Sequence, residues 1–332
     1  MNIKRILTAV TAMLALATLA AAHAATPVSF CTNWFAEPSH GGFYEAKAEG
    51  LYAKAGLDAT IKMGGPQVNG MQLLLAGQCT FLMADSIGTL KALHAGAPVV
   101  AVATTYQKDP QVIIAHAGVK SLADLKGKPI EVSAEGMNNY WPWLKRKFGF
   151  TDSQARPYTF TIAPFLHDKS LSQQGYVTSE PYMIEQAGEK PKVFLLADYG
   201  YPNYSEVIVA RADYVKKHPQ VVAAFVRASA QGWRDYLCNP KPANKLIVEA
   251  NPKMTSGLLA YGWKTIRAHD LVTGGAAAKL GIGTMTAARW QAIDNFMVND
   301  AHMLPADFDY KKGYTLKFVK NLHVMARSCP AA

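Results

Sequence analysis

The chain has 332 residues, half of them apolar, with 34 Lys and Arg against 24 Asp and Glu for a formal charge of +10. This composition excludes a disordered or fibrous chain, and the length suits about two domains with a core each. The basic residues are scattered, and the densest group, Lys145-Arg146-Lys147, reads as one solvated helix face, so no nucleic-acid partner is expected.

At the start, Lys4 and Arg5 precede an apolar run from Ile6 to about Ala20, and Ala22-His23-Ala24 fits a small-residue cleavage site. The run falls short of the roughly 20 residues needed to span a bilayer. An export signal over 1–24, cleaved after Ala24, is therefore expected in place of a membrane anchor. No cysteine follows the cut, so a soluble periplasmic product of 308 residues and formal charge +8 is expected.

From Val28 to Thr105 short apolar runs alternate with helical segments. Val28 to Trp34, Ala59 to Met63, Cys79 to Ala84 and Val99 to Thr104 read as strands. Gly42 to Gly50, Val68 to Ala76 and Ile87 to His94 read as helices. This alternation predicts an α/β fold with mostly parallel sheets flanked by helices. Val112 to Ala115 leads into a short helical turn at Ser121 to Lys128, and a new sheet begins at Pro129. Its strands are expected at Ile130 to Ser133, Thr159 to Ile162, Gly175 to Thr178 and Val193 to Ala197, with helices around Tyr140 to Lys147 and Glu180 to Ala187. After Val207 the pattern turns helical, opening on Pro219 with Val222, Phe225, Val226, Trp233 and Leu237 along one face. Further helices at about Pro242 to Glu249, Thr255 to His269 and Thr286 to Val298 would cover the first lobe. The expected lobes are 27–112 with 205–332, and 113–204.

Cys31, Cys79, Cys238 and Cys329 sit in a chain bound for an oxidising compartment, where disulfides are permitted. Sequence alone does not set the pairing. Cys238 follows a helix and Cys329 lies in a tail that needs anchoring, so that pair is expected. Cys31 and Cys79 fall in core strands and read as buried thiols.

In open α/β sheets ligands bind beyond the carboxyl ends of strands, where helix N-termini point free N–H groups. The candidates are therefore residues that follow strands. Trp34 and Phe35 follow the first strand, Gln67 the second, Asp85 and Ser86 the third, and Thr105 and Tyr106 the fourth. In the second lobe Ser133, Glu135 and Asn138 follow the first strand and Glu180 and Tyr182 the third, with Tyr199 beside the fourth. His40 and Gly41 open a helix where a ligand could approach bare backbone. Each has a plainer reading: Trp34 as core aromatic, His40 and the Asp85-Ser86 pair as helix caps, Glu180-Pro181 as a helix start. Aromatic residues on both sides of the expected cleft suit a flat, partly polar ligand.

Catalytic signals are poor. No Gly-x-Ser-x-Gly elbow, phosphate loop or His-Glu-x-x-His zinc helix occurs, and the histidines have no ligand spacing. No metal or cofactor is expected.

Asn33-Trp34-Phe35-Ala36-Glu37-Pro38-Ser39-His40-Gly41-Gly42-Phe43-Tyr44-Glu45-Ala46, Glu49-Gly50-Leu51-Tyr52 and Ala55-Gly56-Leu57-Asp58 resemble the opening of the thiamine pyrimidine precursor receptor family. Gln173-Gln174-Gly175-Tyr176-Val177-Thr178-Ser179-Glu180-Pro181 carries the similarity into the second lobe. The resemblance implies a two-lobed periplasmic binding protein of type II, acting as a monomer. It would close on a small heteroaromatic molecule, with Glu180 reading the ligand, and deliver it to an ABC permease in the inner membrane. Related receptors take sulfonates, nitrate, flavins or aromatic acids. Fungal relatives are pyrimidine synthases with a cysteine-rich segment, absent here, and a histidine whose position His40 resembles.

Overall fold

A computed structural model describes residues 24–329 of the chain; the expected export signal lies outside these residues except for Ala24. Ten strands occur in chain order: β1 (Thr26–Cys31), β2 (Leu57–Lys62), β3 (Phe81–Ala84), β4 (Val99–Tyr106), β5 (Gln111–Ala115), β6 (Ile130–Val132), β7 (Ala155–Pro157), β8 (Ser172–Tyr176), β9 (Lys192–Leu195) and β10 (Ser205–Arg211). They form two five-stranded sheets, ordered β2-β1-β3-β10-β4 and β7-β6-β8-β5-β9. β10 runs antiparallel to β3 and β4, and β5 runs antiparallel to β8 and β9. Each sheet is thus mixed, with a single reversed strand, and that strand is the one by which the chain has just crossed over. The crossings lie between Tyr106 and Gln111 and between Leu195 and Ser205.

Two strand expectations need correction. The first strand of the second sheet in chain order is β5, upstream of Pro129, because the chain enters that sheet through its reversed strand. Thr159 to Ile162 is a turn, with Phe160 at φ 59°, and the edge strand is β7 instead.

The period-two rule explains why the central strands read as continuous apolar runs: both faces are covered. In β4 and β10, Val100, Val102, Ile208 and Ala210 face one core with Phe43, Phe225 and Trp233. Val99, Ala101, Val207 and Val209 face a second core with Leu90, Trp290 and Phe296. The helix Pro219–Tyr236 packs across Gly41–Ala48, and it does so at backbone distance. A Cβ on Gly232 would stand 2.1 Å from the Gly42 carbonyl oxygen, and one on Gly42 would meet Trp233 at 2.1 Å.

Cys238 and Cys329 are bonded, tying the last described residue to the end of that helix. Cys31 and Cys79 are also bonded, which corrects their reading as thiols. The residues stand at the end of β1 and just before β3, neighbouring parallel strands that bring their Cα atoms to 5.9 Å.

Candidate functional site

A cleft opens between the two sheets where the crossings run, with both lobes lining it. It encloses about 120 Å³. That is close to the roughly 150 Å³ cavity that admits a benzene ring.

The lobe-one wall begins where β1 ends. Thr32 Oγ1 donates to the Trp34 carbonyl at 2.8 Å and the Gly64 amide donates to the same carbonyl at 3.1 Å, pinning the loop that presents Asn33 and Trp34. Trp34 meets Phe160 of the other lobe at 5.2 Å between ring centroids, and Phe160 meets Tyr158 at 5.2 Å. These three rings line one side of the cleft.

The lobe-two wall centres on β8 and the turn after it. Gln174 Oε1 accepts from the Ser133 amide at 2.6 Å and from Tyr140 Oη at 2.7 Å, so its amide nitrogen is the end left for a ligand. Glu180 Oε2 accepts from the Tyr176 amide at 2.7 Å and from Ser179 Oγ, while Oε1 accepts from Tyr158 Oη at 3.3 Å. Local donors therefore hold Glu180 in place while it lines the cleft. It also begins a helix, so the structural and ligand-facing readings coexist in one residue.

The floor is formed by the crossings. Asp109 accepts from the Gln111 amide at 2.8 Å and from Asn203 Nδ2 at 2.6 Å, and Asn203 Oδ1 accepts from Ser86 Oγ at 2.6 Å. One asparagine thereby joins the two crossings to the start of the helix Ser86–His94.

Carboxyls dominate the electrostatics. Glu37, Asp85, Asp109, Glu135 and Glu180 line the cleft, and no Lys or Arg is among the lining residues. Burial pushes Glu37 up to about 7; the Ser39 hydroxyl opposes this and the Glu180 charge adds to it. Burial likewise raises Asp109 to about 6, against hydrogen bonds from Gln111 and Asn203. Asp85 and Glu135 are also raised, burial first; Glu135 keeps open surface, so its desolvation is the less complete. Glu206, just past the floor in β10, is fully buried with neither side-chain oxygen hydrogen-bonded, and is raised well above the usual carboxylate range by burial. Arg289 donates from Nε to the Pro202 carbonyl and from Nη2 to the Asn203 carbonyl, and it is not among the lining residues.

Of the residues expected from sequence, Trp34, Asp85, Ser133, Glu135 and Glu180 line the cleft. Asp85 and Ser133 also cap their helices, accepting from Gly88 and Gly136. The others lie outside the lining. Ser86 and Thr105 are buried and hydrogen-bonded to Asn203 and to the Glu206 carbonyl. Tyr106 packs edge-on to Trp233 inside lobe one. His40 is fully buried with Nε2 3.0 Å from Asn33 Oδ1, and burial lowers it to about 3, so it is a neutral support for a lining residue. Gly41 is not bare ground for a ligand, because the Tyr236 ring fills the space where a Cβ would stand. Phe35 is exposed beside Trp34, and Gln67 and Asn138 are exposed on loop and helix surfaces. Tyr182 packs against Tyr261 and Tyr199 against Phe148, away from the lining.

Residues that sequence reasoning passed over include Asn33, Glu37, Asp109, Gln174 and Asn203. Polar residues at strand ends and crossings were the available signal. Glu37 and Gln174 stood inside the quoted motifs without being singled out.

Two mixed five-stranded sheets, joined by two crossings with a lined cleft between them, define a two-lobed periplasmic-binding-protein fold. The match to the NMT1/THI5-like family model covers residues 37–243, and the chain belongs to that family. It is 26% identical to the riboflavin-binding protein RibY of Chloroflexus aurantiacus, over 83% of this chain and 81% of that one. Identity to the formylaminopyrimidine-binding protein of Halalkalibacterium halodurans is 25%, over 67% of this chain and 69% of the other. Further relatives bear the name 4-amino-5-hydroxymethyl-2-methylpyrimidine phosphate synthase. Among solved structures, the periplasmic aliphatic sulphonate binding protein SsuA of Escherichia coli superposes with a TM-score of 0.64. Its identity is 15%, over 86% of this chain and 91% of that one, a likeness of fold alone.

Proposed function

We propose that the chain is the exported solute receptor of an ABC importer. It takes one flat heteroaromatic ring of the pyrimidine-precursor kind between its lobes and presents it, as a monomer, to a permease in the inner membrane. The observation that carries this reading is the run of rings Trp34, Phe160 and Tyr158 along one side of a cleft of one-ring size, with polar groups of both lobes around it. Aromatic faces supply sequence-tolerant stacking, and fixed polar groups supply orientation. The crossings near Asp109 and Asn203 serve as the hinge. Between them the connections are short, so a small backbone rotation there separates the walls.

The cleft argues against the anionic ligand classes. Sulfonates, nitrate and aromatic acids call for cationic donors, and the walls hold carboxyls instead. A synthase is the second reading, favoured by the relatives with that name. Against it stand the buried, neutral His40, whose Nε2 is engaged by Asn33, and the absence of a cysteine cluster.

A thermal-shift panel of aminopyrimidines, flavins, sulfonates and aromatic acids tests the proposal. A true ligand at 100 times its dissociation constant adds about 2.7 kcal/mol. Stabilisation by a sulfonate or an aromatic acid, and by no flat base, overturns it; turnover of the bound compound would replace it with the enzyme reading.

A further inference from the structure

Apart from the crossings, the lobe-one helix Ser256–Ala268 packs on the lobe-two helix Glu180–Gln186 and on the lobe-one turn Pro38–His40. Tyr261 and Tyr182, one from each helix, stand 5.3 Å apart between ring centroids. Tyr182 is set into a notch: a Cβ on Gly257 would overlap its hydroxyl and stand 3.0 Å from its Cζ. Further along the same helix, a Cβ on Gly262 would stand 2.7 Å from Pro38 and 3.1 Å from the Thr178 carbonyl oxygen. Pro38 follows Glu37, and Thr178 precedes Ser179 and Glu180, so the helix backs the seam where cleft-lining residues of the two lobes meet. Leu259 and Trp263 of this helix share one continuous apolar core with Val177 and Ile184 of lobe two. Tyr182 itself is half-buried and lies outside the cleft lining.

We infer that Tyr182 is a positioning residue for binding: seated in the Gly257 notch against Tyr261, it holds the helix that begins with Glu180 to lobe one, and so sets affinity without touching the ligand. Glycine at 257 and 262 leaves out the side chains that would keep lobe two off this helix. The two rings belong to different lobes, so a rotation about the crossings moves one past the other, and ring and notch fit only with the lobes together. An apparent dissociation constant is the intrinsic one divided by the fraction of molecules in the binding arrangement. A contact that raises this fraction tightens binding of any solute the cleft accepts. An aromatic pair contributes about 2- to 12-fold to such an equilibrium. Its effect falls on dissociation, because parting the lobes must first unseat Tyr182. The inference rests on the receptor reading for the premise that the lobes close on a solute, and adds where, outside the cleft, the strength of that closure is set.

The test is calorimetric and stopped-flow binding of two probes, 4-amino-2-methylpyrimidine and riboflavin, to the full mature chain and its variants. Tyr182→Ala should weaken whichever probe binds by about 2- to 12-fold, through faster dissociation, and should leave the ratio between the probes unchanged where both bind. Tyr182→Phe keeps the ring and should restore most of the loss. Gly257→Ala fills the notch and should weaken binding likewise, yet have no further effect in Tyr182→Ala, because ring and notch act as one contact. Should Tyr182→Ala fail to fold, Gly257→Ala alone decides, and unchanged affinity there refutes the role. Unchanged affinity in Tyr182→Ala, a loss confined to association, or additive effects of the two substitutions would each overturn the inference and leave the receptor reading in place. If neither probe binds the unaltered protein, the flat-ring reading falls, and X-ray scattering of the ligand-free protein decides the inference separately. Tyr182→Ala must then have the larger radius of gyration, and equal radii overturn it.

Discussion

Asn203 joins both crossings to lobe one, so Asn203→Ala should reveal how much the hinge contributes to stability. The variant loses the donor to Asp109 Oδ2 at 2.6 Å and the acceptor of Ser86 Oγ at 2.6 Å, both enclosed by protein. A hydrogen bond to an ionised group is worth about 1.5–3 kcal/mol and a neutral one about 1, so a loss of about 2.5–4 kcal/mol is expected at pH 7.5. The pH dependence carries the sharper prediction. Asp109 is raised from the usual aspartate range to about 6, chiefly by burial, and the Asn203 donor is one of the groups holding it down. Without that donor the folded state favours the protonated form still more, while the unfolded chain titrates as before. An acid whose folded pKa lies above its unfolded value is neutral in both states at low pH, and its stability contribution declines as pH rises between the two values. The deficit of Asn203→Ala should therefore be smaller at pH 4.5 and grow through pH 6 to 8. Urea unfolding followed by tryptophan fluorescence, at four pH values on ligand-free protein, measures it. A deficit below about 1 kcal/mol, or one that does not change with pH, would refute the argument that this asparagine relieves a buried carboxylate.

Trp34→Ala should weaken ligand binding through lost stacking, with Trp34→Phe recovering part of it; calorimetry showing no change would remove Trp34 from the site. Glu180→Gln should cost about 10- to 150-fold in affinity when the ligand donates to it, and unchanged affinity would reduce Glu180 to its helix-start role. Replacing Cys31 and Cys79 together by alanine opens a loop with a sequence separation of 48 and should cost up to about 4 kcal/mol by the chain-entropy estimate. Equal denaturation midpoints would show that the bond is not formed in the purified protein. In the unaltered protein Glu37, raised to about 7 by burial, should lower stability as pH climbs from about 4.5 to 7. Glu37→Gln should flatten that part of the stability profile, and an unchanged slope would mean that Glu37 is solvated when the cleft is empty.

Most strands and the long helices were legible because their signals are local. Val99 to Ala103 is apolar throughout because both faces of the strand are covered, and Pro219 followed by Val222, Phe225 and Val226 marks a helix start and its buried stripe. The reach of the second sheet back to Gln111 was missed, since a crossing strand has the same apolar composition whichever sheet it joins. The turn at Phe160 was read as a strand because an aromatic, β-rich stretch looks extended until a positive φ breaks it.

Strand ends located the site only roughly, since a residue's place after a strand says nothing about what packs on it from elsewhere. Gly41 looked free for a ligand until Tyr236, from a distant helix, filled its space. His40 proved to be a support for Asn33, and Ser86 a partner of Asn203. Glu37 and Gln174 became candidates only once their neighbours had taken up one end of each side chain and turned the other toward the cleft. The amino-acid sequence by itself determined the alternation of elements, the export signal expected at its start and the family motifs, because propensity, periodicity and short spacing act along the chain. Tertiary structure alone decided which polar groups are left without partners at the cleft, because hydrogen bonds and burial are set by residues far apart in sequence that meet only when the two sheets have formed.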